Sequence, residues 1–119
     1  MDGIHIGKAV TRLEYQAYSK LAIKTMAEIL RVCHSEATRS DHPQTNPLPS
    51  LIKCAIHHRL GVVPVGKPSI VIAVSSPHRK AAFVACEMIL EEVKLKAQIW
   101  KREYYEGQSE GEAEWKANF

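Results

Sequence analysis

Residues 69–97 read SIVIAVSSPHRKAAFVACEMILEEVKLKA, a β-branched apolar run followed by a longer amphipathic one. The run from Ser69 to Ser75 is typical of a strand covered on both faces. Ser76 followed by Pro77 predicts an N-cap and a first helical residue, because proline is tolerated where a helix begins. Apolar residues then recur at helical spacing: Ala82, Ala85, Cys86, Ile89, Leu90 and Val93. The pattern predicts a long helix from Pro77 to about Ala97.

The flanking segments predict the rest of a mixed α+β fold. Two-residue alternation favours strands at Val10–Tyr15, Leu51–His58 and Ile99–Tyr105, with a last short strand around Trp115. Apolar residues at spacings of three and four predict another helix from about Ser19 to Ala37. We therefore expect one domain over residues 1–119, with two main helices packed on a mostly antiparallel sheet.

A proline-rich segment separates the first helix from the following strand. Thr38 to Ser50 contains Pro43, Pro47 and Pro49 among polar residues. Proline resists both helix and sheet, so this segment is expected to be a flexible, exposed loop over residues 38–50.

Composition excludes several classes of protein. The 119 residues are 45% hydrophobic and 24% charged, values ordinary for a soluble globular chain. The longest apolar runs fall short of the ~20 residues that span a bilayer, and the first residues do not resemble a secretory signal. We therefore expect a cytosolic protein that does not enter a membrane. The net charge of +3 is too small to indicate nucleic-acid binding by itself.

Cysteine and histidine spacing argues against a metal site. Cys33, Cys54 and Cys86 are widely spaced and odd in number, which fits small buried hydrophobic residues better than a disulfide framework. His57 and His58 are neighbours in a predicted strand and point to opposite faces, so they are unsuited to chelating one ion.

The start of the second helix is a candidate anion site. Unpaired backbone N–H groups and the helix dipole coincide there with His78 and Arg79, a setting that suits a phosphate. An ordinary solvated helix end explains the same residues equally well. Arg79 and Lys94 are 15 residues apart on one helix, or ~22 Å along its axis. A small ligand touching both would need one of them from a second copy of the chain, which predicts a symmetric dimer.

Lys94 and Lys101 form a second candidate group. A chain reversal after Ala97 would bring their ammonium groups together, an arrangement suited to stabilising negative charge or moving protons. Strand alternation places Lys101 and Glu103 on one face, where they can form an ion pair, and Arg102 on the other. Lysines near helix ends and on edge strands are, however, usually just solvated.

Three motifs carry a resemblance to a known family: His58-Arg59-Leu60-Gly61, the run Ile70 to Arg79, and the run Lys94 to Glu103. Together they resemble the MoaE family, the large catalytic subunits of molybdopterin synthases. The resemblance implies an α/β hammerhead fold and a homodimer at the core of a heterotetramer, with a ubiquitin-like small subunit at each end. The C-terminal thiocarboxylate of that small subunit gives sulfur to cyclic pyranopterin monophosphate, forming the molybdopterin dithiolene.

The resemblance also implies site residues and two departures. The family's substrate-binding residues fall on His78, Arg79, Lys94, Lys101, Arg102 and Glu103. Lys94 and Lys101 take the catalytic roles, and neither a metal nor a cofactor is implied. The chain starts after the family's Phe-Val-Gly-Thr-like stretch, so the fold is expected to lack that N-terminal strand and the arginine it brings to the pocket. Gln98 replaces a usual proline, which predicts a less sharp helix end.

Two rival readings stay open. The chain is alternatively a non-catalytic subunit that binds the small subunit but turns over nothing. More distantly, its basic residues and the aromatic residues near Trp100 would make it a nucleic-acid-binding module, although acidic residues interrupt any continuous basic track.

Overall fold

The structure is a computed structural model that describes residues 4–5, 8–41 and 52–118. Its strands and helices, in chain order, are β1 (Ile4–His5), β2 (Lys8–Ala17), α1 (Ser19–Asp41), β3 (Lys53–His58), β4 (Gly61–Pro64), β5 (Ile70–Ser75), α2 (Arg79–Lys96), β6 (Ile99–Tyr105) and β7 (Trp115–Ala117), with a 3₁₀ turn at Glu110–Glu112.

The larger sheet is built around β2. Strand β6 pairs antiparallel with β2 over its whole length, β4 and β1 also pair with β2, and β7 extends the sheet beyond β6. In this register Glu14 lies opposite Arg102 of β6 and Val62 of β4. This antiparallel pairing brings together two segments that are far apart in sequence, because β2 is near residue 10 and β6 is near residue 100.

The smaller sheet pairs β3 antiparallel with β5 over six residue pairs, and the helices pack on one of its faces. The core between them is formed by Ile29 and Cys33 of α1 and by Ile89 and Val93 of α2, all at most 4% exposed. The two residues from each helix are four apart, as expected for the apolar stripe of an amphipathic helix. The prediction of two main helices on mostly antiparallel sheet is confirmed.

The covered-strand prediction for residues 69–75 is wrong for the single chain. Burial along β5 alternates, and Val71 is 54% exposed. The helices cover only the face that carries Ile70, Ile72 and Val74, and the described residues supply no second layer for the other face.

Two helix boundaries also differ from the predictions. Helix α2 begins at Arg79 with His78 as its N-cap, so Ser76 is not the cap and Pro77 is not the first helical residue. The Ser76 hydroxyl instead accepts a hydrogen bond from the His78 N–H at 3.2 Å. Helix α1 continues through Asp41, four residues into the predicted loop, because proline restricts the residue before it and the first proline is Pro43. The rest of that loop, residues 42–50, lies outside the described residues.

The turn between α2 and β6 is fastened to α1. Helix α2 ends at Lys96, and Ala97 is already extended with φ −71° and ψ 142°. The Gln98 carbonyl accepts a hydrogen bond from the Tyr18 N–H at 3.0 Å, and its side-chain oxygen accepts one from the Thr25 hydroxyl at 2.9 Å. The helix therefore stops sharply without proline, because Gln98 is held by two bonds to residues at the start of α1. In the described part of the chain, neither helix is long and apolar enough to span a membrane.

Candidate functional site

A cavity of about 190 Å³ lies where β2, β3, β5, α2 and β6 meet, next to Asn118. Its lining residues are Tyr15, His58, Ser69, Ile70, Leu90, Lys94, Lys101 and Asn118. The lining combines two cationic side chains with an imidazole, an amide and two hydroxyls. Such a set can bind an anionic group and exchange protons with it.

Lys94 and Lys101 reach this cavity from two consecutive elements. Leu90 and Lys94 lie four residues apart and therefore share one side of α2, next to the side on which Ile89 and Val93 enter the core. The reversal at Gln98 then returns β6 alongside the helix end, so that Lys101 lines the same cavity. The structure thus brings together the two lysines that the sequence analysis assigned as catalytic.

Lys101 is held by an ion pair in a largely buried setting. Its Nζ lies 3.2 Å from Oε1 of Glu103, and both side chains are only 14% exposed. The Tyr105 hydroxyl donates a hydrogen bond to the other oxygen of Glu103. Desolvation alone would raise the pKa of Glu103, but the hydrogen bonds from Tyr105 and Lys101 outweigh it, and the net shift is downward. Glu103 therefore stays ionised and fixes the position of the Lys101 ammonium group.

Tyr105 is correspondingly hard to ionise. Desolvation and the bond to the Glu103 carboxylate raise the pKa of Tyr105 to about 12. Its hydroxyl thus remains a donor throughout the physiological range.

His58 also lines the cavity. Its Nδ1 is 2.8 Å from the Arg59 carbonyl oxygen, its Nε2 is 3.3 Å from Nδ2 of Asn118, and its ring meets the Tyr15 ring edge-on at 4.8 Å. Burial lowers the pKa of His58 below its ordinary value, against a smaller opposing effect of the Arg59 carbonyl. The ring is therefore neutral at pH 7.

Arg102 faces away from the cavity, as alternation along β6 predicts. Its guanidinium pairs with Glu14 at 2.8 Å and lies over the Trp115 ring at 4.4 Å. The Tyr104 hydroxyl also donates to Glu14, at 2.8 Å. The hydrogen bond from Arg102, reinforced by that from Tyr104, lowers the pKa of Glu14. In the single chain Arg102 therefore ties β6 to β2 and β7.

His78 and Arg79 are at the far end of α2 from the cavity. Both are exposed, and neither lines the cavity that holds the two lysines. The ~22 Å length of helix between Arg79 and Lys94 keeps the two groups apart within one chain. Within the described residues, the six predicted site residues thus fall into three places: the cavity wall and its supporting ion pair, the outer sheet face, and the start of α2.

Sequence reasoning did not assign Tyr15, His58 or Asn118 to the site. Tyr15 was noted only as part of a strand, His58 was considered only as a metal ligand and as part of a family motif, and Asn118 was not considered. Alternation in β3 does place His58 on the face opposite His57, which is a usable signal for an inward side chain. Asn118 offers no such local signal, because its contact with His58 spans 60 residues of sequence.

A larger cavity of about 320 Å³ lies between the two helices. It is lined mainly by α1, from Leu21 to Cys33, with Glu92 and Lys96 of α2. None of the predicted site residues lies in it, and its charged residues include Glu92 and Lys96, which form an ordinary helix-surface ion pair. The described residues include no cluster of three potential metal ligands. The 190 Å³ cavity is therefore the better candidate for chemistry, although it is the smaller of the two.

Comparison with known proteins identifies a family for this chain. The family model described as "MoaE protein" matches residues 2–96. The molybdopterin synthase catalytic subunit of Pyricularia oryzae is 47% identical over 112 residues, which is 94% of this chain and 53% of that protein. Molybdopterin synthase catalytic subunit 2 of Aedes aegypti is 44% identical over 94% of this chain and 64% of that protein. The chain thus spans about half to two thirds of the length of these relatives.

Solved structures show the same fold. The crystal structure of molybdopterin synthase from Staphylococcus aureus matches with a TM-score of 0.69 and 33% identity, covering 92% of this chain and 69% of that one. A MoaE protein from Burkholderia ambifaria matches with a TM-score of 0.64 and 24% identity over 92% of this chain and 65% of that one, a likeness of fold alone. On the matched residues, the relatives and the shared architecture, this chain belongs to the MoaE protein family.

Proposed function

We propose that this chain is the catalytic subunit of a molybdopterin synthase, a sulfurtransferase of molybdenum cofactor biosynthesis acting in the cytosol. It transfers sulfur from the C-terminal thiocarboxylate of a ubiquitin-like small subunit to cyclic pyranopterin monophosphate. The observation that carries the proposal is the convergence of Lys94 and Lys101 in one cavity, with Glu103 holding Lys101 in place.

The charges of the cavity suit this reaction. A thiocarboxylate and a cyclic phosphate are both anions, and both gain from ammonium groups in a poorly solvated site. Lys94 and Lys101 supply these groups, while His58 and Asn118 add a neutral acceptor and an amide. In this proposal the lysines bind the two anions and stabilise the charge that develops as sulfur attacks and the phosphate ring opens.

The size of the cavity supports a site shared between two copies of the chain. Its 190 Å³ is below the ~300–1,000 Å³ of pockets that enclose a whole small molecule. A homodimer would add His78 and Arg79 of a second copy, which hold the phosphate. Exposed apolar side chains near these residues fit a protein interface, since Phe83, one helical turn after Arg79, is 73% exposed and Val71 of β5 is 54% exposed. Arg102 then acts as a support for the strand that carries Lys101.

The test compares two lysines of the same helix end. Lys94→Ala removes a cavity ammonium group, whereas Lys96→Ala removes an exposed one that pairs with Glu92 at 2.6 Å. With thiocarboxylated small subunit and cyclic pyranopterin monophosphate, Lys94→Ala should lower dithiolene formation about 100-fold, the usual loss for one charge-stabilising group. Lys96→Ala should match the wild type, and both variants should bind the small subunit normally. A wild-type chain that binds the small subunit but forms no dithiolene would contradict the proposal and identify a non-catalytic subunit.

A further inference from the structure

We infer that His58 is the proton acceptor of this cavity and that Asn118 is the residue that positions it. The inference rests on the proposed sulfur transfer and deepens it by naming the group that takes up the proton which the reaction releases.

The hydrogen bonds of His58 fix which nitrogen is free to accept. The Arg59 carbonyl oxygen can only accept, so Nδ1, 2.8 Å away, carries the hydrogen. In the neutral ring Nε2 then holds a lone pair, and the Asn118 amide nitrogen at 3.3 Å donates to it. A bond of this length is at the weak end of the ordinary range, so a bound molecule can compete for Nε2.

The groups that face His58 keep its ring neutral, with Nε2 unprotonated. Lys94 of α2 and Lys101 of β6 line the same cavity, and Tyr15 of β2 packs against the ring. Both lysines are cationic, and Glu103, the acidic partner of Lys101, is already paired with it. Burial acts in the same direction and lowers the pKa of His58. A neutral imidazole beside two cations is a base ready to accept near neutral pH.

Other groups of the cavity are poorer acceptors. An ammonium group has three hydrogens and no lone pair, so Lys94 and Lys101 as cations only donate. Glu103 accepts from both Lys101 and Tyr105, and its lowered pKa makes its carboxylate a weaker base than an imidazole. His58 is therefore the best proton acceptor among the described residues around the cavity.

Asn118 can serve His58 in both protonation states. Its amide nitrogen donates to the free Nε2, and a half-turn of the amide presents its oxygen to a protonated Nε2. Asn118 is only 7% exposed and belongs to the short segment after β7, so packing holds it at this place. It acts on the reaction through His58 rather than on the substrate.

The proposed reaction releases the proton at a definite step. When the thiocarboxylate sulfur bonds to a carbon of the pterin substrate, the bond from that carbon to a ring oxygen of the cyclic phosphate breaks, and the phosphate keeps the electron pair as its ring opens. An acyl–sulfur–carbon link then joins the small subunit to the substrate. Water then adds to the acyl carbon, and the acyl–sulfur bond breaks with its electron pair going to sulfur. The products are a thiolate on the pterin and a carboxylic acid on the small subunit, which then loses its own proton to solvent. The attacking water loses a proton to Nε2 of His58, which becomes imidazolium and later passes the proton to solvent. The cavity has room for such a water, since ~30 Å³ is the share of one molecule.

The first test is spectroscopic and needs no turnover. In the chain with ¹⁵N-labelled histidine, Nδ1 of His58 should be the protonated nitrogen, and Nε2 should titrate with a midpoint below 6.5. Asn118→Asp should move this midpoint upward by about one unit, because a carboxylate stabilises the imidazolium. A ring protonated at Nε2, or a midpoint at or above 6.5 in the wild type, would overturn the inference.

The second test is kinetic, with His57→Gln as the matched control, because His57 is the exposed neighbour on the opposite face of β3. The wild-type rate of acyl–sulfur hydrolysis should fall on the acid side as His58 becomes protonated. His58→Gln should lower this rate about 100-fold and remove that acid limb, whereas His57→Gln should keep both. Asn118→Asp should keep the limb but shift it to higher pH, a change that a merely structural role would not produce.

The outcomes separate the two proposals. If the wild type turns over while His58→Gln keeps its rate and its acid limb, only the inference on His58 is overturned. If the wild type transfers no sulfur, the proposed function is overturned, and the role of His58 in that reaction is overturned with it. Trapping of the acyl–sulfur link by His58→Gln, with normal formation of that link, would support both.

Discussion

Ile89→Ala tests the orientation of α2, on which the cavity depends. Ile89 is fully buried and packs with Ile29, Cys33 and Val93 between the two helices. The substitution removes three carbons, worth ~2.4 kcal/mol of transfer free energy at ~0.8 kcal/mol each. The unfilled space adds ~1–2 kcal/mol because the surrounding core relaxes only in part, and the higher helix propensity of alanine returns less than ~0.5 kcal/mol. We expect the free energy of unfolding to fall by ~3–4 kcal/mol.

The assay is urea unfolding followed by circular dichroism, with Val84→Ala as the control on the same helix. Val84 is 40% exposed, so its truncation should change the free energy of unfolding by less than ~0.5 kcal/mol. The slope of the transition should be unchanged, because neither substitution alters the surface exposed on unfolding.

Equal losses for the two variants, or a loss below ~1 kcal/mol for Ile89→Ala, would refute the orientation of α2. Such a result would also contradict the placement of Lys94 in the cavity. Leu90 and Lys94 lie on the side of the helix adjacent to Ile89 and Val93, so a rotated helix would take Lys94 out of the cavity.

Two further predictions concern the larger sheet and the turn that follows the histidines. The pKa of Glu14 is lowered in the folded chain, so the unfolded chain binds more protons, and the free energy of unfolding decreases as pH falls below ~4.5 through that lowered value. In urea unfolding at pH 3–7, Glu14→Gln should flatten this decrease. Glu114→Gln, at an exposed position, should flatten it less. Gly61 has φ +81°, and an added Cβ would meet nothing within 4 Å, so Gly61→Ala should lower the free energy of unfolding by ~1–2 kcal/mol through backbone strain alone. Gly111 also has open space around it but no positive φ, so Gly111→Ala should be close to neutral. Equal effects at the two glycines would contradict the turn geometry.

Local pattern predicted the elements well, because periodicity depends only on neighbouring residues. The alternation at Ile99–Tyr105 and the helical spacing before Ala97 gave elements within a residue or two of those found. The errors are at boundaries and in two short strands, β1 and β4, that were not predicted. Polar residues after Ala37 extend α1 to Asp41, and the N-cap falls on His78 rather than Ser76, since both ends depend on contacts that a short pattern does not contain.

The candidate site was predictable only in part. Lys94, Lys101 and Glu103 follow from a helix end, a reversal and a strand alternation, all within ten residues. His58 and Asn118 are neighbours in space but 60 residues apart, and the sequence gives no local reason to pair them. Arg102 illustrates the same limit, because its partner Glu14 is 88 residues away across the β2–β6 register.

By itself the sequence determined which segments form the two helices and the longer strands, and where the charged residues lie along the chain. Tertiary structure decided which polar side chains share a cavity: it places Lys94, Lys101 and His58 around one space and leaves His78 and Arg79 at the far end of α2. The physical reason is that secondary structure follows from interactions over a few residues, whereas a site forms only when packing and strand register bring distant residues together.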